Sequence, residues 1–305
     1  MTSGTSPRIG AQGRVDLLDP AEVGSLGALE FTTNAIVDGF LAGLHRSSRR
    51  GYSVEFAEHR PYQIGDDPRH IDWKLLARTD RLQVRQFEEE TNLRSMLVLD
   101  ASASMGWRGS DGRLTKLEYA TRLAAALALV LVRQRDAVGL LTFDSEVRDL
   151  IPPRLRRGHW RLLANQLSSL QAGSSTAAEP ALRQVVGALR RRGLVVFISD
   201  LLLDRELTFK ALRFLKHRGH DVLVLHIADP SELDLENGEE TRFRDPETGR
   251  AVTLAPTEWR SAYRETVAGA IRAWGTACRG AGMNYSLVTT DQPFGVALGR
   301  ALAQR

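Results

Sequence analysis

The spacing of apolar residues changes character twice along the chain. Leu26, Leu29, Ala35, Ile36, Phe40, Leu41 and Leu44 fall at helical intervals within residues 20–46, and Pro20 suits a helix start. Ser47-Ser48-Arg49-Arg50-Gly51 reads as a turn. From 52 to 92 the pattern becomes extended: Tyr52, Val54 and Phe56 alternate, and so do Leu82 and Val84. Between them Gly65-Asp66-Asp67-Pro68 turns into a short helix, with Asp67 as N-cap and Pro68 as its first residue.

From residue 95 onward apolar runs alternate with amphipathic ones. Strands are predicted over 96–99, 137–143, 194–199, 222–227 and 285–289. Helices are predicted over 116–133, 160–170, 180–191, 205–217, 257–279 and 294–302. Residues 147–151 follow the turn Asp144-Ser145-Glu146 and should pair antiparallel with the strand before it. Continuous apolar strands separated by amphipathic helices predict a doubly wound, mostly parallel α/β sheet covered on both faces. The polar stretch 229–250 reads as a surface excursion with a hairpin turn at 245–249.

This divides the chain into a flexible tail (1–19), an N-terminal helix and small arm (20–94) and an α/β domain (95–305). The arm is too short and too polar to fold alone. Trp73 is expected to fill a core, and Arg69 or Arg78 to pair with an Asp.

Composition narrows the class. A chain of 305 residues that is 43% hydrophobic can bury a sizeable core, which excludes collagen-like and wholly disordered classes. Cys278 is the sole cysteine, so neither an intramolecular disulfide nor a cysteine-based zinc site can form within one chain. It reads as a small core residue. The N-terminus lacks the apolar run of a secretory signal, and the longest apolar run, 123–132, falls short of the ~20 residues of a membrane span. The expected location is cytoplasmic. Net charge is only +4; the 37 Arg and 4 Lys are spread along the chain, and Arg190-Arg191-Arg192 suits a helix C-terminus. Nucleic-acid binding through an Arg-rich surface rests on charge alone.

In open α/β sheets ligands sit beyond the carboxyl ends of the strands. There the chain places Asp100-Ala101-Ser102-Ala103-Ser104, one carboxylate and two hydroxyls at alternate positions. The loop Gly173-Ser174-Ser175-Thr176 offers further hydroxyls, and Asp200 follows the strand over 194–199. Converging hard oxygens suit Mg²⁺ or Mn²⁺. Taken singly, Asp100, Ser102 and Asp200 also read as helix caps. The enzymatic alternative is a Mg²⁺-dependent phosphohydrolase with Asp100 as nucleophile. It would want a second Asp where Ser102 stands and a phosphate-binding lysine, for which Lys116 is the nearest candidate. Asp66, Asp67 and Asp72 lack any nucleophile or phosphate cradle beside them, which favours a structural role. No P-loop, nucleophile elbow or H-E-x-x-H motif is present.

Asp100-x-Ser102-x-Ser104, Thr176 and Asp200 resemble the metal-ion-dependent adhesion site of von Willebrand factor A domains. The resemblance implies Mg²⁺ held by Asp100, Ser102 and Ser104, by Thr176 directly or through water, and by Asp200 usually through water. The remaining position would take a carboxylate from a partner protein. Ser174 and Ser175 are alternatives to Thr176. Upstream, Arg60-Pro61-Tyr62, Gly65-Asp66-Asp67-Pro68-Arg69, Ile71-Asp72-Trp73, Ala77-Arg78 and Leu82-x-Val84-Arg85-x-Phe87-x-Glu89 resemble the signature of domain-of-unknown-function family 58. That family joins such an arm to a von Willebrand A-like domain. The resemblance implies a non-enzymatic adaptor that works with a MoxR-type AAA+ ATPase in chaperone-like maturation or assembly of a client protein. Arg60, Tyr62, Gly65, Asp66, Asp67, Arg69, Asp72, Trp73 and Arg78 would serve packing or docking.

Overall fold

The computed structural model describes residues 29–47, 59–61, 73–85, 93–110, 113–173, 177–235, 241–245 and 249–303. The first part of the predicted N-terminal helix, the alternation at Tyr52–Phe56 and the turn at Gly65–Pro68 lie outside these residues. What is described opens with α1 (Leu29–Ser47), then β1 (His59–Pro61), α2 (Trp73–Thr79) and β2 (Gln83–Arg85). β1 and β2 pair antiparallel. Trp73 does not fill a core: it is 61% exposed at the start of α2. A seven-residue helix has too little surface of its own to enclose an indole.

The main domain follows. β3 (Arg94–Asp100), α3 (Lys116–Arg133), β4 (Ala137–Phe143) and β5 (Val147–Arg154) lead to α4 (His159–Ser168) and α5 (Ala178–Ala188). Then come β6 (Gly193–Ser199), α6 (Arg205–His217), β7 (Asp221–Ala228) and the short helix α7 (Pro230–Leu233). A β8 (Thr241–Arg244) and β9 (Ala251–Leu254) hairpin precedes α8 (Pro256–Gly280), β10 (Asn284–Thr289) and α9 (Phe294–Ala303). The six-stranded sheet has the order β10-β7-β6-β3-β4-β5, parallel except for β5. This is the expected mostly parallel α/β sheet with helices on both faces.

Period-two side-chain alternation explains the two cores. Leu97, Leu99, Val196, Ile198, Leu223 and Leu225 face α1, α3, α4 and α9. Met96, Val98, Val195, Phe197, Val222 and Val224 face α5, α6 and α8. α3 lies between sheet and α1 and is buried on almost every side, which its Ala-Leu-Val content allows. Cys278 is fully buried in the second core, as its sequence context implies.

Local chemistry sets the ends of the helices. Thr115 and Glu118 form a reciprocal capping box at the start of α3, and Asp204 caps α6 by accepting from Leu207 N–H. α5 stops at Ala188, so Arg190-Arg191-Arg192 does not end a helix as expected; Leu189 turns inward and is buried, and Arg192 pairs with Asp221. β5 runs on through Pro152 and Pro153 to Arg154, which an edge strand tolerates because one side needs no ladder N–H.

Candidate functional site

The chain leaves β3 toward β4 and β5, then crosses back to place β6, β7 and β10 on the other side. β3 and β6 therefore flank the topological switch point, where a crevice opens at the carboxyl edge. Leu99 pairs with Ile198, so Asp100 and Asp200 leave adjacent strands at the same edge. Asp100, Ser102, Ser104 and Asp200 are all buried.

Asp100 is gripped from both sides. Its Oδ1 accepts from the Ser102 backbone N–H at 2.9 Å, and its Oδ2 accepts from Ser199 Oγ–H at 2.7 Å. Ser102 Oγ and Ser104 Oγ lie 3.1 Å apart. None of these residues caps a following α-helix: Thr115 and Asp204 do that, and Ser102 precedes a short 3₁₀ turn without a side-chain capping bond. The capping explanation therefore fails for them. Burial, then the charge of Asp200, pushes the Asp100 carboxyl up to about 7, against the bonds from Ser199 and Ser102. A buried carboxylate with a second negative charge nearby favours the approach of a cation.

Lys116, named from the sequence only as a candidate phosphate ligand, is instead paired with carboxylates, and that pairing is what sequence reasoning missed. Lys116 opens α3 and is 0% exposed. Its Nζ donates to Asp200 Oδ2 at 2.7 Å and to Glu232 Oε1 of α7 at 2.5 Å. Burial works against its charge, but Asp200 and Glu232 hold it above the ordinary lysine range. Burial raises Glu232, opposed by Lys116. The second oxygen of Asp200 accepts from Leu202 N–H at 3.1 Å. A signal existed in the sequence: Lys116 stands four, seven and eleven residues before Ala120, Leu123 and Leu127, on their buried stripe. Ser199 was also missed; as the last residue of an apolar strand it carried no motif.

Neighbouring polar groups are already committed. Asp144, at the end of β4, is paired with Arg148 at 2.6 Å. Asp229, at the end of β7, accepts from Ser231 and Thr290. His226 bonds Tyr285 through Nδ1 at 2.7 Å.

Thr176, Ser174 and Ser175 lie outside the described residues. Their flanking residues are anchored: Gly173 N–H bonds Ala101 O and Ala177 N–H bonds Asp144 O, each at 2.7 Å. Of the arm residues, Arg60 lies in β1 and Arg78 is exposed in the last turn of α2. Tyr62, Gly65, Asp66, Asp67, Arg69 and Asp72 lie outside the described residues.

The donor set fits a small divalent ion. No group of three or more His, Cys, Asp or Glu side chains with metal-holding geometry occurs among the described residues. The donors here are instead mixed, one carboxylate with two hydroxyls and a second carboxylate nearby. Hard oxygens of this kind suit Mg²⁺ or Mn²⁺. With Asp100 ionised, the carboxylates of Asp100, Asp200 and Glu232 against Lys116 leave two net negative charges, the complement of a divalent cation.

Fold and site define a mostly parallel α/β domain with an oxygen-rich loop cluster at its switch point. The chain belongs to the family described as Protein of unknown function DUF58, whose profile matches residues 58–272. The uncharacterized protein Rv1480 of Mycobacterium tuberculosis is 30% identical over 275 residues, covering 86% of this chain and 85% of that one. Among solved structures, an aerotolerance-related membrane protein from Bacteroides fragilis is 18% identical, covering 70% of this chain and 98% of that chain, with TM-score 0.49. Conserved hypothetical protein BatB from Bacteroides thetaiotaomicron has the same identity and coverage, with TM-score 0.48. Among the described residues no helix is long and apolar enough to cross a membrane.

Proposed function

We propose that this protein is a non-enzymatic adaptor that binds a partner protein through a divalent cation at the carboxyl edge of its sheet. The observation that carries the reading is Asp100: a buried carboxylate with Ser102 and Ser104 beside it and Asp200 across the switch point. Asp100, Ser102 and Ser104 would hold Mg²⁺ or Mn²⁺, with Thr176, or Ser174 or Ser175, supplying a loop hydroxyl and Asp200 a longer-range charge. The ion would supply a Lewis-acidic position for a carboxylate of the client. The protein's own contribution is orientation: Ser199 and the Ser102 N–H fix the Asp100 carboxylate before any ion arrives.

The family resemblance supports the wider setting, a cytoplasmic adaptor that links a client to a MoxR-type AAA+ ATPase during maturation or assembly. The phosphohydrolase alternative is weakened by Lys116, whose ammonium is already engaged by Asp200 and Glu232.

The test is capture from native lysate by wild type and Asp100→Ala, with Mg²⁺ or EDTA. A MoxR-type ATPase or client retained only by wild type with Mg²⁺ is the expected result. Capture indifferent to both metal and mutation would move the interface to the arm and defeat the metal-bridged reading.

A further inference from the structure

Lys116 and Asp100 are treated differently by their surroundings. Asp100 is held by neutral donors, the Ser199 hydroxyl and the Ser102 N–H. Asp200 is held by a full positive charge, with its second oxygen on the Leu202 N–H. A fully buried ammonium is costly unless its partners are fixed, and Lys116 has two, one just after β6 and one in α7. Glu232 is itself anchored: its Oε2 accepts from Asp229 N–H in a capping box at the start of α7, and its carbonyl accepts from Tyr263 Oη–H of α8. The lysine is therefore built into the site and is no stray surface side chain.

We propose that Lys116 is a resident cation that keeps Asp200 out of direct metal ligation and lowers the affinity of the Asp100–Ser102–Ser104 cluster for a divalent ion; this rests on the metal-site reading above. Two physical effects act in the same direction. A unit positive charge beside the cluster repels an incoming cation, and in a partly desolvated site this repulsion is weakly screened. Pairing with Lys116 also occupies the Asp200 oxygen that would otherwise be free to approach the ion. The result is a site that is charge-compensated enough to persist without metal and weak enough to exchange it. Reversible docking needs that property and permanent structural metal sites do not.

The experiment is Mn²⁺ titration of the full chain, read by the electron paramagnetic resonance of free Mn²⁺ and by calorimetry, with folding checked by circular dichroism. The variants are Asp100→Ala, Lys116→Met and the double variant Lys116→Met with Glu232→Gln. The double variant also removes the partner charge of half-buried Glu232 and carries the test should Lys116→Met fold poorly. Mn²⁺ binding about tenfold tighter or more in folded Lys116→Met, and a measurable gain over wild type in the double variant, whose net charge is unchanged but whose Asp200 is released, are the expected results. No gain in the folded variants, with wild type binding Mn²⁺ and Asp100→Ala not, would overturn the role of Lys116 and leave the metal site standing. Absence of Mn²⁺ binding in wild type and in every Lys116 variant would overturn the metal site and this inference together. Binding that appears only once Lys116 is removed supports both.

Discussion

Ser199→Ala tests how the site is held. Ser199 is the last residue of β6, and its buried hydroxyl makes two bonds. It donates to Asp100 Oδ2 at 2.7 Å and accepts from Leu201 N–H at 2.9 Å. Leu201 adopts φ 59°, a left-handed conformation that costs a side-chain-bearing residue about 1–2 kcal/mol. One hydroxyl thus orients the carboxylate and helps to fix the strained turn that positions Asp200. Alanine removes a hydrogen bond to a charged group, worth about 1.5–3 kcal/mol, and strands a buried N–H at about 1–3 kcal/mol. The two terms share an atom and do not simply add, so the expected loss is about 2–4 kcal/mol. For a domain of this size that lowers Tm by roughly 5–12 °C. Urea unfolding should be run in EDTA at pH 8.5, above the Asp100 value of about 7, so that the carboxylate is ionised. Ser199→Thr keeps the hydroxyl and should retain most of the stability. A loss below about 0.5 kcal/mol for Ser199→Ala would refute the argument, and would mean that the Ser102 N–H alone suffices to hold Asp100.

Burial lowers His226 to about 4, so the folded protein keeps it neutral while the unfolded chain takes up a proton near pH 6.5. Stability from this group is complete above pH 6.5 and falls by up to about 3 kcal/mol as pH drops to 4. His226→Gln should lack that component, and parallel urea-derived pH profiles for the two proteins would contradict it. Gly139 of β4 has no room for a side chain: a Cβ there would lie 2.7 Å from Ile151 O and Pro153 N of β5. Gly139→Ala should cost about 2 kcal/mol or more by urea melt, since the obstruction is backbone; a loss under 0.5 kcal/mol would show that the β4–β5 bulge yields easily. The Cys278 thiol is buried and pushed up to about 11. It should react with a disulfide reagent such as DTNB only after denaturation, and rapid modification of native protein would show that the α8–β10 region opens.

Where the sequence carried its own boundary chemistry, the reading reached the residue. α3 and α6 begin and end where the periodicity places them, because Thr115, Glu118 and Asp204 are caps that act over three residues. β4 ends at Phe143 because the turn Asp144-Ser145-Glu146 follows at once. Reading failed where the decision belonged to distant packing. Three arginines after α5 resembled a helix end, but burial of Leu189 against the α5–β6 core stops the helix first. Trp73 resembled a core residue by type, but it stands 61% exposed at the start of α2. The switch-point cluster was legible because each member follows an apolar strand directly, so strand ends alone locate Asp100, Ser102, Ser104 and Asp200.

The electrostatic half of the site was not legible in the same way, and the reason is the range of the interaction. Lys116 meets carboxylates 84 and 116 residues further along the chain. No local pattern encodes such a pairing; it follows only once the strand order puts β3, β6 and β7 side by side. What the sequence does encode is the cost. A lysine on the same helical stripe as Ala120, Leu123 and Leu127 must be buried when they are, and an unpaired buried ammonium is untenable. The stripe therefore demands an acidic partner before the partner can be named. That demand points to the carboxylates beyond the ends of neighbouring strands, where Asp200 and Glu232 are the two that answer it. It also means that the carboxyl edge of the sheet carries its own positive charge, with which any bound ion has to compete.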